Sequence, residues 1–152
     1  MTSESLADDD IKMLRKAINH ARQARKSGNG PFGAVLALPG GDILAECENE
    51  VWRTGDKTLH AELNLISRAT RQYGRETIEK TTLYASTEPC GMCAGAIYWA
   101  GIKRVIFGCS IPRQIELSGR ALGIRIYDVL SDQSDIEIIG PVLEDEAEAV
   151  FH

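Results

Sequence analysis

A chain of 152 residues has the length of one ordinary globular domain, and its 43% hydrophobic and 26% charged residues support a packed core while excluding collagen-like, fibrous and disordered classes. A net charge of −5 offers phosphate backbones no general attraction, so a small molecule is the expected partner rather than nucleic acid at large. No apolar run approaches the roughly 20 residues that a membrane helix needs, and residues 1–10 are acidic where an export signal would be basic and then apolar; a cytoplasmic protein of one domain, residues 1–152, is expected.

Ile11, Leu14, Ile18 and Ala21 recur at helical spacing and predict an amphipathic first helix that closes at Ser27-Gly28-Asn29-Gly30. Its basic residues, among them Lys12, Arg15, Arg22 and Arg25, suit a hydrated face, with RNA phosphates as the alternative partner. Residues 32–38 read as a buried strand, 39–42 as a turn and 43–49 as a second strand. Gly28, Gly30 and Gly33 lack the lysine and hydroxyl residue of a phosphate loop, and are expected to shape a pocket wall instead.

Leu63, Leu65, Ile66 and Ala69 predict a helix from His60 to about Gly74, followed by a short strand over 82–86. Another helix is predicted from Pro89 or Cys90 to about Gly101, then a strand over 104–107. Strand, helix and strand so closely spaced imply a right-handed parallel crossover, hence a layered α/β sheet. Residues 124–129 and 136–139 are read as strands, and Pro141 is expected to open an acidic helix over 142–151.

Cys90 and Cys93 lie three positions apart at a predicted helix start, so both thiols share a face and can grip one ion. The unpaired N–H groups of that terminus favour thiolates. Alone, such a pair has a thioredoxin-like redox couple as its alternative reading. His60, at the start of the other long helix, supplies a third ligand if the two helix termini meet at one sheet edge. Three protein ligands leave a zinc ion an open position for water, as catalytic sites do, whereas structural sites close with four. Glu62, two residues from His60, is placed to carry protons without binding the metal.

His60-Ala61-Glu62 and Pro89-Cys90-Gly91-Met92-Cys93 match the H-x-E and P-C-x-x-C pattern of zinc deaminases. With Gly30-Pro31-Phe32-Gly33-Ala34-Val35, Thr87-Glu88 and Val105-Ile106-Phe107-Gly108, the chain resembles the cytidine-deaminase-like superfamily over most of its length. The resemblance implies a three-layer α/β/α fold around a mixed sheet of about five strands, Zn2+ on His60, Cys90 and Cys93, general acid/base catalysis by Glu62, and a homodimer.

Residues 96–100 most resemble bacterial guanine deaminases, which implies guanine as the leading substrate. Base contacts are then implied for Asn49, Phe32, Trp99 and the backbone at Ala61. Cytosine, another heterocycle or nucleoside, and tRNA adenosine are the alternative substrates. That family's acidic residue for the purine amino edge has no clear counterpart in residues 110–123, and pocket closure is expected to differ where the chain reaches Phe151-His152. Several plainer readings stand beside these. A structural zinc site could be completed by Cys47 or Cys109, Asn49 could merely turn the backbone, and Phe32 and Trp99 could be core.

Overall fold

The computed structural model describes residues 6–133 and 135–152. The first helix, α1 (Asp8–Lys26), buries Met13, Leu14, Ala17, Ile18, Ala21 and Ala24 along one stripe. Asp8, Asp9 and Asp10 occupy its first turn and Arg25 and Lys26 its last, each sign placed where the helix dipole favours it. The carboxylate of Asp10 also accepts the Ala7 N–H at 3.1 Å, satisfying one of the orphan donors of the N-terminus.

Strand β1 (Gly33–Ala37) is buried throughout and pairs antiparallel with β2 (Ile43–Glu48) on one side. On its other side lies β3 (Thr82–Thr87), also antiparallel. Beyond it β4 (Arg104–Cys109) and β5 (Glu137–Ile139) continue the sheet in parallel, giving the order β2-β1-β3-β4-β5. The mixed five-stranded sheet expected from the resemblance is therefore present. Both faces of β1 are covered because its alternate residues feed two cores. Val35 and Ala37 pack with α1, while Ala34 and Leu36 pack on the opposite face.

That opposite face carries α3 (Ala61–Gln72), α5 (Gly91–Ala100) and α7 (Ile126–Val129). The turns α2 (Val51–Thr54) and α4 (Arg75–Ile78) flank α3, and α6 (Ile111–Ser118) follows β4. The last helix, α8 (Glu144–Glu148), runs into a 3-10 turn, Ala149–Phe151, on the α1 side. Three layers result, helices enclosing a sheet on both faces.

Four sequence expectations need correction. Residues 124–129 form no strand: Ile126 and Leu130 are the buried positions, four apart, and Asp128 accepts the Arg125 N–H at 3.0 Å, so a helical turn satisfies both packing and backbone. The C-terminal helix opens at Glu144 rather than at Pro141, because Val142 N–H bonds the Phe107 carbonyl at 3.0 Å and keeps 141–143 against β4. Helix α5 starts one residue later than expected, with Cys90 as its N-cap. Gly33 serves helix packing rather than a pocket wall: a Cβ there would lie 2.6 Å from His20 Cβ and 2.7 Å from Ala21 N.

Candidate active site

His60 and Cys90 are the N-caps of α3 and α5, and Cys93 is the third residue of α5. Both caps have extended backbone, φ −62° and −69°, which turns their side chains across the helix ends. The strands that precede α3 and α5 are β2 and β3, separated by β1, so the two helix ends meet across one intervening strand. His60 Nδ1 lies 3.5 Å from Cys90 Sγ and 3.8 Å from Cys93 Sγ. All three donor atoms lie within 4.8 Å of one another.

The chemistry of this donor set fits a soft divalent ion. The hydrogen bond from Cys93 holds the Cys90 thiol down to about 4, and that same bond, together with burial, pushes Cys93 up. The Cys93 amide also bonds Cys90 sulfur, and the Leu63 amide bonds Cys93, so both helix ends point donors at sulfur. His60 is raised, chiefly by its hydrogen bond to Cys90. His60, Cys90 and Cys93 would hold a divalent metal ion there, and its charge would favour both thiolates. Cys47 and Cys109 do not join the group among the described residues; burial pushes their thiols up to about 11 and about 12.

Glu62, second residue of α3, is only 6% exposed and stands outside the ligand group. Burial, and then the neighbouring Cys90 sulfur, push its carboxyl up to about 7, while a hydrogen bond with Cys93 works in the opposite direction. A carboxyl poised near neutrality can both take and return a proton. Ala61, between His60 and Glu62, is fully buried and opens α3.

Asn49 is buried and splits its amide between two jobs. Its Oδ1 accepts the Val51 N–H at 3.1 Å, which is the turn-forming role; Nδ2 makes no hydrogen bond among the described residues and lies beside Gly30. The backbone of Asn49 is tied to Phe32, N–H to carbonyl at 3.0 Å. Phe32 meets the edge of Phe151 with ring centroids 5.8 Å apart, so the chain's own C-terminal turn covers it. Three arginines hold that segment: Arg15 on Glu146, Arg113 on Glu148, and Arg25 on the Val150 carbonyl.

Trp99 is neither core nor cavity wall in the single chain, at 77% exposure, with the Tyr98 ring edge against it. A cavity of about 510 Å³ lies at the other end of the strands, among Asp10, Tyr84, Lys80, Lys103 and Arg104. Sequence reasoning quoted Glu88 without assigning it a part. Its side chain is fully buried and accepts from Ile111 N, Ile126 N and Arg125.

A three-layer α/β/α fold that brings one histidine and two cysteines together at two helix ends, with a buried glutamate alongside, defines a zinc-dependent deaminase. The sequence pattern of the cytidine and deoxycytidylate deaminase zinc-binding region matches residues 7–109, and the chain belongs to that family of hydrolytic C–N-cleaving enzymes. A probable cytosine deaminase of Schizosaccharomyces pombe is 41% identical over 97% of this chain and 93% of its own length. The guanine deaminase of Bacillus subtilis is 42% identical over 62% of this chain and 60% of its own. A solved structure from work on adenosine-to-inosine editing by tRNA:A34 deaminases superimposes with a TM-score of 0.76 at 30% identity, covering 92% of this chain and 99% of that one. No helix among the described residues is long and apolar enough to cross a membrane.

Proposed function

We propose that this chain, as a single zinc-dependent deaminase domain, removes the amino group from a free nucleobase-like ring, with cytosine as the first candidate and guanine as the second. The observation that carries the reading is the buried carboxyl of Glu62 beside the His60, Cys90 and Cys93 donor group. Cytosine leads because the resemblance to the S. pombe protein extends over nearly the whole of both chains, whereas the guanine deaminase match covers less than two thirds of either.

When bound, zinc supplies Lewis acidity that readies water for attack at neutral pH. Glu62 takes one proton from the attacking water and delivers it to a ring nitrogen, then takes the remaining hydroxyl proton of the adduct and delivers it to the departing amine. Water adds to the ring carbon, the C–N bond breaks, ammonia leaves and an oxo group remains. Asn49 Nδ2 donates to an acceptor on the ring, the backbone at Ala61 helps to seat it, and Phe32, backed by Phe151, forms an apolar wall. Trp99 belongs to a different surface. Helix α5 (GMCAGAIYWA) has no charged residue, yet Met92, Tyr98 and Trp99 lie exposed on it, as suits the contact face of a homodimer. The four unpaired thiols are in keeping with a reducing, cytoplasmic setting.

The basic face of α1 does not favour RNA. Arg15 and Arg25 are engaged by Glu146 and the Val150 carbonyl, and the chain as a whole is acidic. The test is ammonia release by the zinc-loaded protein from cytosine, guanine, adenine, their nucleosides and a tRNA anticodon stem. Turnover of a free base is expected, and turnover of RNA alone would overturn the proposal.

A further inference from the structure

Glu88 leads into the ligand helix, two residues before Cys90. Its own N–H bonds the Cys109 carbonyl at 2.7 Å, extending the pairing of β3 with β4 by one residue. From there the side chain turns inward and is fully buried. Oε1 accepts from Ile111 N at 3.1 Å and from Arg125 Nη2 at 2.8 Å. Oε2 accepts from Ile126 N at 2.9 Å, and Arg125 Nε reaches both oxygens at 3.2 and 3.3 Å.

Ile111 is the first residue of α6 and Ile126 the first of α7. The stretch 111–126 therefore begins and ends on the same carboxylate. Within it, Leu122 and Ile124 return to the start of α5: a Cβ on Gly91 would meet Ile124 Cγ2 at 3.0 Å and Leu122 Cδ2 at 3.5 Å. Gly91 sits between Cys90 and Cys93. The loop that approaches the ligand pair and the residue that leads into it are thus tied at one buried group, which is not itself a member of the donor set.

We propose that Glu88 is a positioning residue for the metal site, fixing the entry of Cys90 into α5 and locking residues 111–126 against the cysteine pair. The proposal rests on the reading of His60, Cys90 and Cys93 as ligands. Partners outside the ligand set commonly change metal affinity by about 10–100-fold. Glu88→Gln keeps the size of the side chain but puts an NH2 donor where only donors arrive, and it weakens the hold on Arg125.

The test titrates cobalt(II) into the metal-free full-length protein, wild type against Glu88→Gln and Arg125→Met, with far-UV circular dichroism as the check on folding. The expected result is a folded Glu88→Gln protein that binds cobalt at least about tenfold more weakly, with displaced ligand-field bands. Arg125→Met leaves both backbone amides on Glu88 and should shift the bands less. Wild-type affinity and bands in a folded Glu88→Gln protein would show a purely structural residue and overturn the proposal. Should Glu88→Gln fail to fold, unaltered bands in Arg125→Met overturn it equally and displaced bands support it. Failure of the wild type to bind cobalt would instead remove the ligand reading itself.

Discussion

Arg104 at the start of β4 grips Asp10 of α1 with two nitrogens, Nη1 to Oδ1 at 2.8 Å and Nη2 to Oδ2 at 3.0 Å. Tyr84 adds its hydroxyl to Asp10 Oδ1 at 2.6 Å, so the clamp joins α1 to two neighbouring strands. Burial alone would raise the Asp10 carboxyl, but the bonds from Arg104, Tyr84 and the Ala7 amide outweigh it and hold the group below its ordinary 3.8. A carboxyl lowered by folding stabilises the protein above its unfolded value and loses that contribution as pH falls through the folded one. Asp10→Asn should therefore cost about 2 kcal/mol at pH 7, discounted for the partial exposure of Arg104. The gap in Tm between variant and wild type should close as pH falls below 3.8; a gap that persists undiminished into strong acid would count against the clamp.

Glu62→Gln removes a proton carrier while leaving the three ligand atoms in place. Turnover should fall by about 10²–10⁴-fold, with zinc content by elemental analysis unchanged. A zinc-replete variant that still turns over near the wild-type rate would sink the role assigned to Glu62.

Asn49 separates its structural and binding parts by atom. Asn49→Asp keeps an oxygen for the Val51 N–H and loses the Nδ2 donor, so Tm should move little while kcat/KM falls by about 10–100-fold, the worth of one hydrogen bond to substrate. Asn49→Ala loses both functions and should cost about 1 kcal/mol of stability as well. Wild-type kcat/KM in Asn49→Asp would return Asn49 to a plain turn residue.

Metal should act as a folding ligand, because His60, Cys90 and Cys93 bring two helix ends together and only the native chain does so. Zinc at 100 times its Kd would add about 2.7 kcal/mol, seen as a Tm that climbs with added zinc and drops with a chelator. Cys93→Ser should abolish that dependence. A Tm indifferent to zinc in the wild type would speak against the site.

The parts of this fold that the sequence makes legible are those where local period and burial agree. Leu14, Ile18 and Ala21 mark α1, and Leu65, Ile66 and Ala69 mark α3, because each helix hides one stripe. The metal group is legible because a cysteine pair three apart and a histidine before a helix can serve one ion wherever the sheet places them. Helix α6 was missed although Ser110 and Pro112 announce it, Ser110 Oγ capping Arg113 N at 3.2 Å. Glu88 and Arg125 were not legible at all. They lie 37 positions apart, and only the return of 111–126 to the sheet makes them a pair. Trp99 shows a different limit. Helix α5 is apolar on every side, so the pattern carries no information on which side faces the core.

That ambiguity makes Trp99 the place to test assembly. A tryptophan 77% exposed beside Tyr98 at 40% and Met92 at 37% is an apolar surface that a partner copy would cover. Buried aromatics at such contacts contribute about 2 kcal/mol or more each, and a two-fold interface counts the residue twice. Trp99→Glu should thus weaken dimer formation by about a thousandfold, leaving a monomer by light scattering at micromolar concentration with the helical content of the wild type. If wild type is itself monomeric at those concentrations, the homodimer fails and the exposed face of α5 must answer to another partner. If Trp99→Glu stays dimeric, the contact lies elsewhere, and the mutation should then leave turnover and Tm close to wild type because the ring is 77% exposed in the single chain.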